Sequence, residues 1–238
     1  MKKFAFSLLM AAAVLTGCNK EISVEHNGSN PGGGIGGGGG NGGNGQNGAD
    51  TYQPMTVNSY WKYHQTGSIA GDVTLTATDQ TQNVNGLFYH VFNGTGTYGN
   101  SQSLYSIKDH NYYVLYAGTS PNTGASFNIN FLYLNDTASV GYTWTNSAGQ
   151  GGGIAAYTPG KVLEKGISLT VAGKTYNDVI HTQVELQYDM PGFGSLTFIT
   201  YDYFVAKNIG VIRILSVGDP LYGAGINTTT DLVDYSIK

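Results

Sequence analysis

From Thr51 to Lys238 turn signals recur about every ten residues with alternating segments between them, and no stretch carries the apolar period of an amphipathic helix. That rhythm restricts the region to antiparallel strands joined by short turns. The expected strands are Ser59 to His64, Asp72 to Thr78, Tyr112 to Tyr116, Phe127 to Leu134, Ile167 to Val171, Tyr176 to Tyr188, Leu196 to Val205, Val211 to Val217 and Leu232 to Ile237. Between them stand Asn85-Gly86, Asn93-Gly94, Ala172-Gly173-Lys174, Asp189-Met190-Pro191-Gly192 and Asp219-Pro220, combinations that favour tight turns. The 18 tyrosines, the many threonines and a charged fraction of only 11% agree, because Tyr and Thr suit half-buried pleated surfaces. The fold class expected for residues 51–238 is therefore all-β: a single antiparallel, curved sheet, a sandwich or an open barrel. A faint two-fold repeat is also expected. Trp61 corresponds to Trp144, and Asn85 to Val91 corresponds to Ala172 to Val179, each a hairpin turn followed by an aromatic residue and a valine.

The residues before this domain read as an address and a leash. Lys2 and Lys3 form a positive start, Phe4 to Val14 a short apolar run, and Leu15-Thr16-Gly17-Cys18 a small-residue cleavage site of a secretory signal. The apolar run is too short to span a bilayer. The segment resembles the lipobox of bacterial lipoproteins, in which the cysteine sulfur receives a diacylglyceryl group, a dedicated peptidase cuts before it and the new amine is acylated. The resemblance implies loss of residues 1–17, cleavage between Gly17 and Cys18, and lipid (diacylglycerol and palmitate) on Cys18, with the membrane as a partner. Asn19 in place of Asp at the second mature position points to the outer membrane, and Lys20-Glu21 incompletely resembles the surface-export signals of Bacteroidetes-type bacteria. Over residues 18–50 a short charged piece runs into a Gly and Asn tract in which Ile35 is the only large apolar side chain. Such a tract has nothing to bury against the entropy of ordering, so a flexible tether averaging roughly 30 Å in span is expected.

Cys18 is the only cysteine, which excludes a disulfide framework and a Cys-ligated zinc site. Loss of Lys2 and Lys3 with the signal lowers the 11 basic residues to nine against 15 acidic ones, a formal charge of −6 instead of −4. Nucleic acid is not an expected partner, since phosphate binding needs a concentrated basic face. A body of about 190 residues buries roughly 70% of the surface its unfolded chain exposes, enough for one self-sufficient core.

Residues 52–238 also resemble a group of lipoproteins of Bacteroidetes-type bacteria. The likeness is carried by Tyr52-Gln53-Pro54-Met55 with Tyr60-Trp61-Lys62-Tyr63, by Val140-Gly141-Tyr142-Thr143-Trp144, and by Tyr201 to Arg213. It implies a curved antiparallel sheet and, for some members, kinship with pilus-assembly accessory domains; no catalytic residue carries over.

The sharpest polar pattern is His181-Thr182-Gln183-Val184-Glu185-Leu186-Gln187-Tyr188-Asp189. A strand's period of two sets His181, Gln183, Glu185, Gln187 and Asp189 on one face and Val184, Leu186 and Tyr188 on the other. Such a face can line a sugar-binding groove or seat a general acid and base, and it is equally what a half-solvated antiparallel strand looks like. The histidines at 26, 64, 90, 110 and 181 show no metal-ligand spacing, so neither metal nor cofactor is expected. No nucleophile elbow is present, and Gly149-Gln150-Gly151-Gly152-Gly153 lacks the Lys and helix of a phosphate loop and reads as a hairpin. Among the aromatics, Tyr60 and Tyr112 are candidates for an exposed sugar-stacking platform, while Trp61 and Trp144 read as core anchors. Asp136-Thr137-Ala138 resembles the O-glycosylation pattern of Bacteroidetes-type exported proteins, with the glycan on Thr137. The expectation is a lipid-anchored outer-membrane protein whose non-catalytic domain binds a glycan or protein or serves as a scaffold. Alternatives are a polysaccharide hydrolase using Glu185 with Glu164 or Asp189, and an accessory factor of outer-membrane or pilus assembly that offers exposed strand edges. If Cys18 is the anchor, Cys18→Ser abolishes incorporation of labelled palmitate and moves the protein from the membrane to the soluble fraction on cell fractionation.

Overall fold

The structure, a computed structural model, describes residues 51–119 and 126–238; the signal sequence, Gly17, Cys18 and the expected tether lie outside the described residues. The described chain forms β1 (Tyr60–Gly67), β2 (Gly71–Val84), β3 (Leu87–Gly96), β4 (Gly99–Lys108), β5 (Asn111–Thr119) and β6 (Ser126–Asn135). It continues through β7 (Thr143–Gly151), β8 (Ile154–Val171), β9 (Lys174–Met190), β10 (Gly194–Ala206), β11 (Gly210–Gly218) and β12 (Asn227–Ser236). Every strand is antiparallel to its sequence neighbours, and β1 also pairs with β12, from Tyr60 opposite Ser236 to Gly67 opposite Thr228. The sheet is thus a closed barrel, which corrects the expectation of an open curved sheet, sandwich or open barrel. Twelve twisted strands curl far enough to bring the first and last together, and closure pairs two edges that would otherwise stay exposed. Edge-to-edge scaffolding through β1 or β12 is excluded by the same pairing.

Turn chemistry sets the register. Asn85-Gly86, Asp109-His110, Gly152-Gly153 and Ala172-Gly173 all have positive φ at both positions, as type I′ hairpins require. The Gly149 to Gly153 run is the β7–β8 hairpin, as its sequence suggests. The proposed repeat landmarks fall six strands apart: Trp61 lies in β1 and Trp144 in β7, with the matched turns after β2 and β8. Their surroundings differ, since Trp61 is buried inside the barrel whereas Trp144 is half-buried.

Trp144 belongs to the weakest seam of the wall. β6 and β7 pair only through Phe127 with Gly151, Asn128 with Gln150 and Ile129 with Gly149. Beyond these, side chains replace the ladder. Asn146 Nδ2 donates to the Asn130 carbonyl at 2.7 Å, Trp144 Nε1 to the Leu132 carbonyl at 3.1 Å, and Thr182 Oγ1 of β9 to the Tyr133 carbonyl at 2.6 Å. Gly160, opposite Trp144 in β8, leaves room for the indole, which a Cβ there would strike.

Alternation puts most large apolar side chains inside and the charged ones outside, although Val91 and Leu115 are buried on the outer face. Trp61, Phe92, Tyr112, Tyr133, Val162, Val184, Tyr203 and Leu232 belong to the buried core, while Lys62, Asp72, His181 and Glu185 stand on the outer face. A membrane-spanning barrel shows the reverse arrangement. A wall of this many strands encloses more space than aliphatic side chains readily fill, which accounts for the tyrosine-rich interior. Ala172, at φ 48°, is the one residue among the four type I′ turns that disfavours this conformation. Ala172→Asn is expected to raise the unfolding free energy by about 0.5–1 kcal/mol, seen as a higher denaturant midpoint at unchanged slope.

Candidate functional site

The two ends of the barrel differ. At the end carrying the β2–β3, β4–β5, β8–β9 and β10–β11 turns, the segment entering β1 is tucked beneath the core, with Thr51, Tyr52 and Gln53 all buried. Asn208 N donates to the Thr51 carbonyl at 2.7 Å, Tyr52 N to Tyr112 Oη at 3.2 Å, and Tyr52 Oη to Asp178 Oδ1 at 3.3 Å. Tyr112 Oη in turn donates to Asp136 Oδ2 at 2.8 Å, and burial pushes its pKa up to about 12. This base is closed by the chain's own entry segment, so Thr51, the first residue after the expected tether, sits at the sealed end.

A cavity of about 100 Å³ lies inside the barrel. Ile69 of the β1–β2 turn and Phe127 near the start of β6 line it, which sets it toward the end opposite the base. Its walls are unlike each other. Rings from β5, β6 and β10 form one side, with Tyr116, Phe131, Tyr201 and Tyr203 linked edge-on or tilted at centroid distances of 5.4 to 6.1 Å. The other side, on β11, β12 and β1, carries Ser216, Thr228, Thr230 and Gln65, which the register makes adjacent: Ser216 opposite Thr228, Thr230 opposite Gln65. Among the described residues, no carboxylate or ammonium lines the cavity. Burial raises the pKa of Tyr105, Tyr116, Tyr201 and Tyr203, that of Tyr116 to about 12, so each keeps its proton and can donate or accept. The arrangement can hold an uncharged molecule between an aromatic face and a polar strip; it offers no acid–base pair.

The residues singled out from the sequence lie elsewhere. Tyr112 is fully buried at the base, which corrects its assignment to an exposed platform: β5 turns it inward, and its hydroxyl is spent on Asp136 and Tyr52. Tyr60 is on the outer face of β1 with its hydroxyl on Asp234 at 3.1 Å. Thr137 is exposed in the β6–β7 connection at the base, its Oγ1 donating to Asn135 Oδ1 at 2.9 Å. His181, Glu185 and Asp189 do share the outer face of β9. Glu185 accepts from Gln187 Nε2 at 2.8 Å and Thr197 Oγ1 at 2.7 Å. Four residues of strand separate it from Asp189, and Glu164 is paired with His181, four residues the other way. Each carboxylate is thus displaced from Glu185 by roughly 13 Å along the strands, beyond the ~5–10 Å of a glycosidase pair. The site that sequence reasoning missed had a signal: Gln65 falls two residues after Tyr63 and four after Trp61, a polar residue on an otherwise buried face.

No protein-family model matches the chain, and no curated protein matches it. Among solved structures, the fold is similar to that of a candidate lipoprotein from Parabacteroides distasonis ATCC 8503, with 8% identity, TM-score 0.48, and coverage of 79% of this chain and 99% of that one. It is similar also to a candidate exported protein with YmcC-like fold from Bacteroides fragilis NCTC 9343, with 10% identity, TM-score 0.46, and coverage of 77% and 97%.

His181 clips three strands together on the outer face. Its Nδ1 meets Glu164 Oε2 of β8 at 2.9 Å, its Nε2 meets Asp202 Oδ1 of β10 at 2.8 Å, and its ring stacks on Phe204 at 4.1 Å between centroids. Two carboxylates at the two ring nitrogens require both to carry protons. Partial burial on its own would lower the pKa, but the hydrogen bonds and charges of Asp202 and Glu164 outweigh it and hold the imidazole above its ordinary 6.5. A raised folded pKa stabilises the fold in full below pH 6.5 and loses that contribution as pH rises through the folded value. The stability difference between the wild type and His181→Gln should therefore be largest in mildly acidic buffer and shrink toward alkaline pH. Denaturation midpoints measured from pH 5 to 9 check this, and a pH-independent difference would falsify the clip.

Proposed function

We propose that this chain is a lipid-anchored binding protein of the outer membrane whose barrel takes a small, uncharged ligand inside rather than catalysing a reaction. The observation that carries this reading is the cavity between the tyrosine wall and the Gln65 strip. Ligand sites are concave, largely apolar and furnished with a few convergent polar groups, and this cavity has that character. At about 100 Å³ it is smaller than the ~150 Å³ apolar cavity that takes benzene, so it admits at most a single small ring, and that with some yielding of its side chains. A polysaccharide therefore engages it only through a terminal unit, and a long glycan would have to use the outer face instead. The lipid on Cys18 and the leash after it would join the barrel at its sealed base, leaving the cavity end turned away from the bilayer. Thr137, exposed at that same base, is the proposed site of a glycan.

Every strand of the barrel finds its neighbours within the described residues, so the domain completes its sheet without another chain. Residues 19–238, produced without lipid, can therefore be titrated with neutral ring compounds and oligosaccharides while tyrosine and tryptophan fluorescence and thermal stability are followed. A saturable response is expected, and Ser103→Leu, which fills the cavity from β4, should abolish it while keeping the fold. A response that survives Ser103→Leu unchanged would locate the ligand elsewhere and overturn the reading.

A further inference from the structure

Gln65 is only 5% exposed, yet its amide is half-used. Nε2 donates to Thr230 Oγ1 at 3.2 Å, while Oε1 is buried and has no hydrogen-bond partner among the described residues. Leaving a buried carbonyl oxygen unpaired costs on the order of 1–3 kcal/mol, so a site that keeps one is poised to gain when a donor arrives. Gln65 lines the cavity, so the donor's place is inside the barrel. Around it the polar groups are arranged as an edge. Thr230 is already engaged by Gln65, and Thr228 Oγ1 is within 2.8 Å of Ser68 Oγ. Opposite, the rings of Tyr116, Phe131, Tyr201 and Tyr203 form a face. Burial holds the hydroxyls of Tyr105, Tyr116, Tyr201 and Tyr203 above their ordinary pKa, so each keeps its proton.

We infer that the ligand is a neutral, ring-sized molecule carrying a hydroxyl on one edge, with that hydroxyl donating to Gln65 Oε1 and the ring's flat face against the tyrosine wall. The inference rests on the cavity being the binding site. A charged ligand is disfavoured because no charged side chain among the described residues lines the cavity to offset its desolvation. A ring without a hydroxyl leaves the amide oxygen as orphaned as before and gains only apolar contact. A hydroxyl also suits the site if the amide is turned over, because it can accept from Nε2 as readily as donate to Oε1. Discrimination against a ligand that lacks the group is strong where the protein's own polar atom would be left buried and unpaired.

The test uses residues 19–238 with p-cresol and toluene, which differ by one hydroxyl, and reads binding by calorimetry and by protection of tyrosine fluorescence from quenching. p-Cresol is expected to bind at least about tenfold more tightly than toluene. Gln65→Leu, which keeps the bulk and removes both polar atoms, should erase that preference by weakening p-cresol about tenfold while leaving toluene unchanged or tighter. Gln65→Met serves as a second apolar replacement of similar length should the leucine variant fail to fold. Equal binding of the two compounds to the wild type, or an unchanged preference in the Gln65 variants, overturns the hydroxyl assignment while leaving the cavity as a binding site. Absence of binding by both compounds, and by larger neutral rings, defeats the binding reading itself.

Discussion

The pairing of β1 with β12 is the contact on which the rest of the molecule depends. A twelve-strand meander left open would expose two edges and one continuous apolar face. Joined from Tyr60 and Ser236 to Gly67 and Thr228, the same sheet has an inside, and every inward side chain acquires a neighbour across the barrel as well as beside it. Closure also places Gln65 next to Thr230 and so assembles the polar strip from strands at opposite ends of the chain. The contact is non-local by 165 residues, so its loop-closure entropy must be met by the packing it permits.

That packing is uneven in a useful way. Near the base, Trp61 stacks toward Phe92 and Phe92 toward Tyr105 at 5.5 and 4.8 Å, and the entry segment seals the space below Tyr112 and Tyr133. Toward the other end, β4, β11 and β12 supply Ser103, Ser216, Thr228 and Thr230 where β5, β6 and β10 supply rings. Small side chains facing large ones leave the cavity, with hydroxyls and an amide on one side of it and rings on the other. The outer face is a different matter: its His181 cluster is saturated by its own partners, with both nitrogens, the stacked ring and the flanking Gln183 all engaged within the wall.

Legibility in the sequence followed local rules and stopped where they stop. The alternation of β9 from Tyr176 to Tyr188, the turns at Asn85-Gly86 and Ala172-Gly173, and the inward role of Trp61 could be read from a few residues, because pleat and turn geometry act within that range. β3, β4 and β7 escaped notice: Asn93-Gly94, expected as a turn, is paired on both sides within β3, while Gly99 to Lys108 and Thr143 to Gly151 are rich in Gly, Ser, Asn and Gln and are strands because their neighbours supply the ladders. Tyr112 was misplaced for a related reason, since a strand's parity tells which residues share a face, here Tyr112, Val114 and Tyr116, but not which face is the inside.

The sequence by itself determined that residues 51–238 are antiparallel strands, that no disulfide supports them, and that the chain's net charge is acidic. Each of these depends on composition or on neighbours a few residues apart. Only the tertiary structure decided that the sheet closes, that one end is sealed by Tyr52 and Gln53, and that Gln65, with an unpaired amide oxygen, lines the same cavity as tyrosine and phenylalanine rings of β5, β6 and β10. Those outcomes depend on which distant strands meet and how much space their side chains leave between them, quantities that exist only once the barrel has formed.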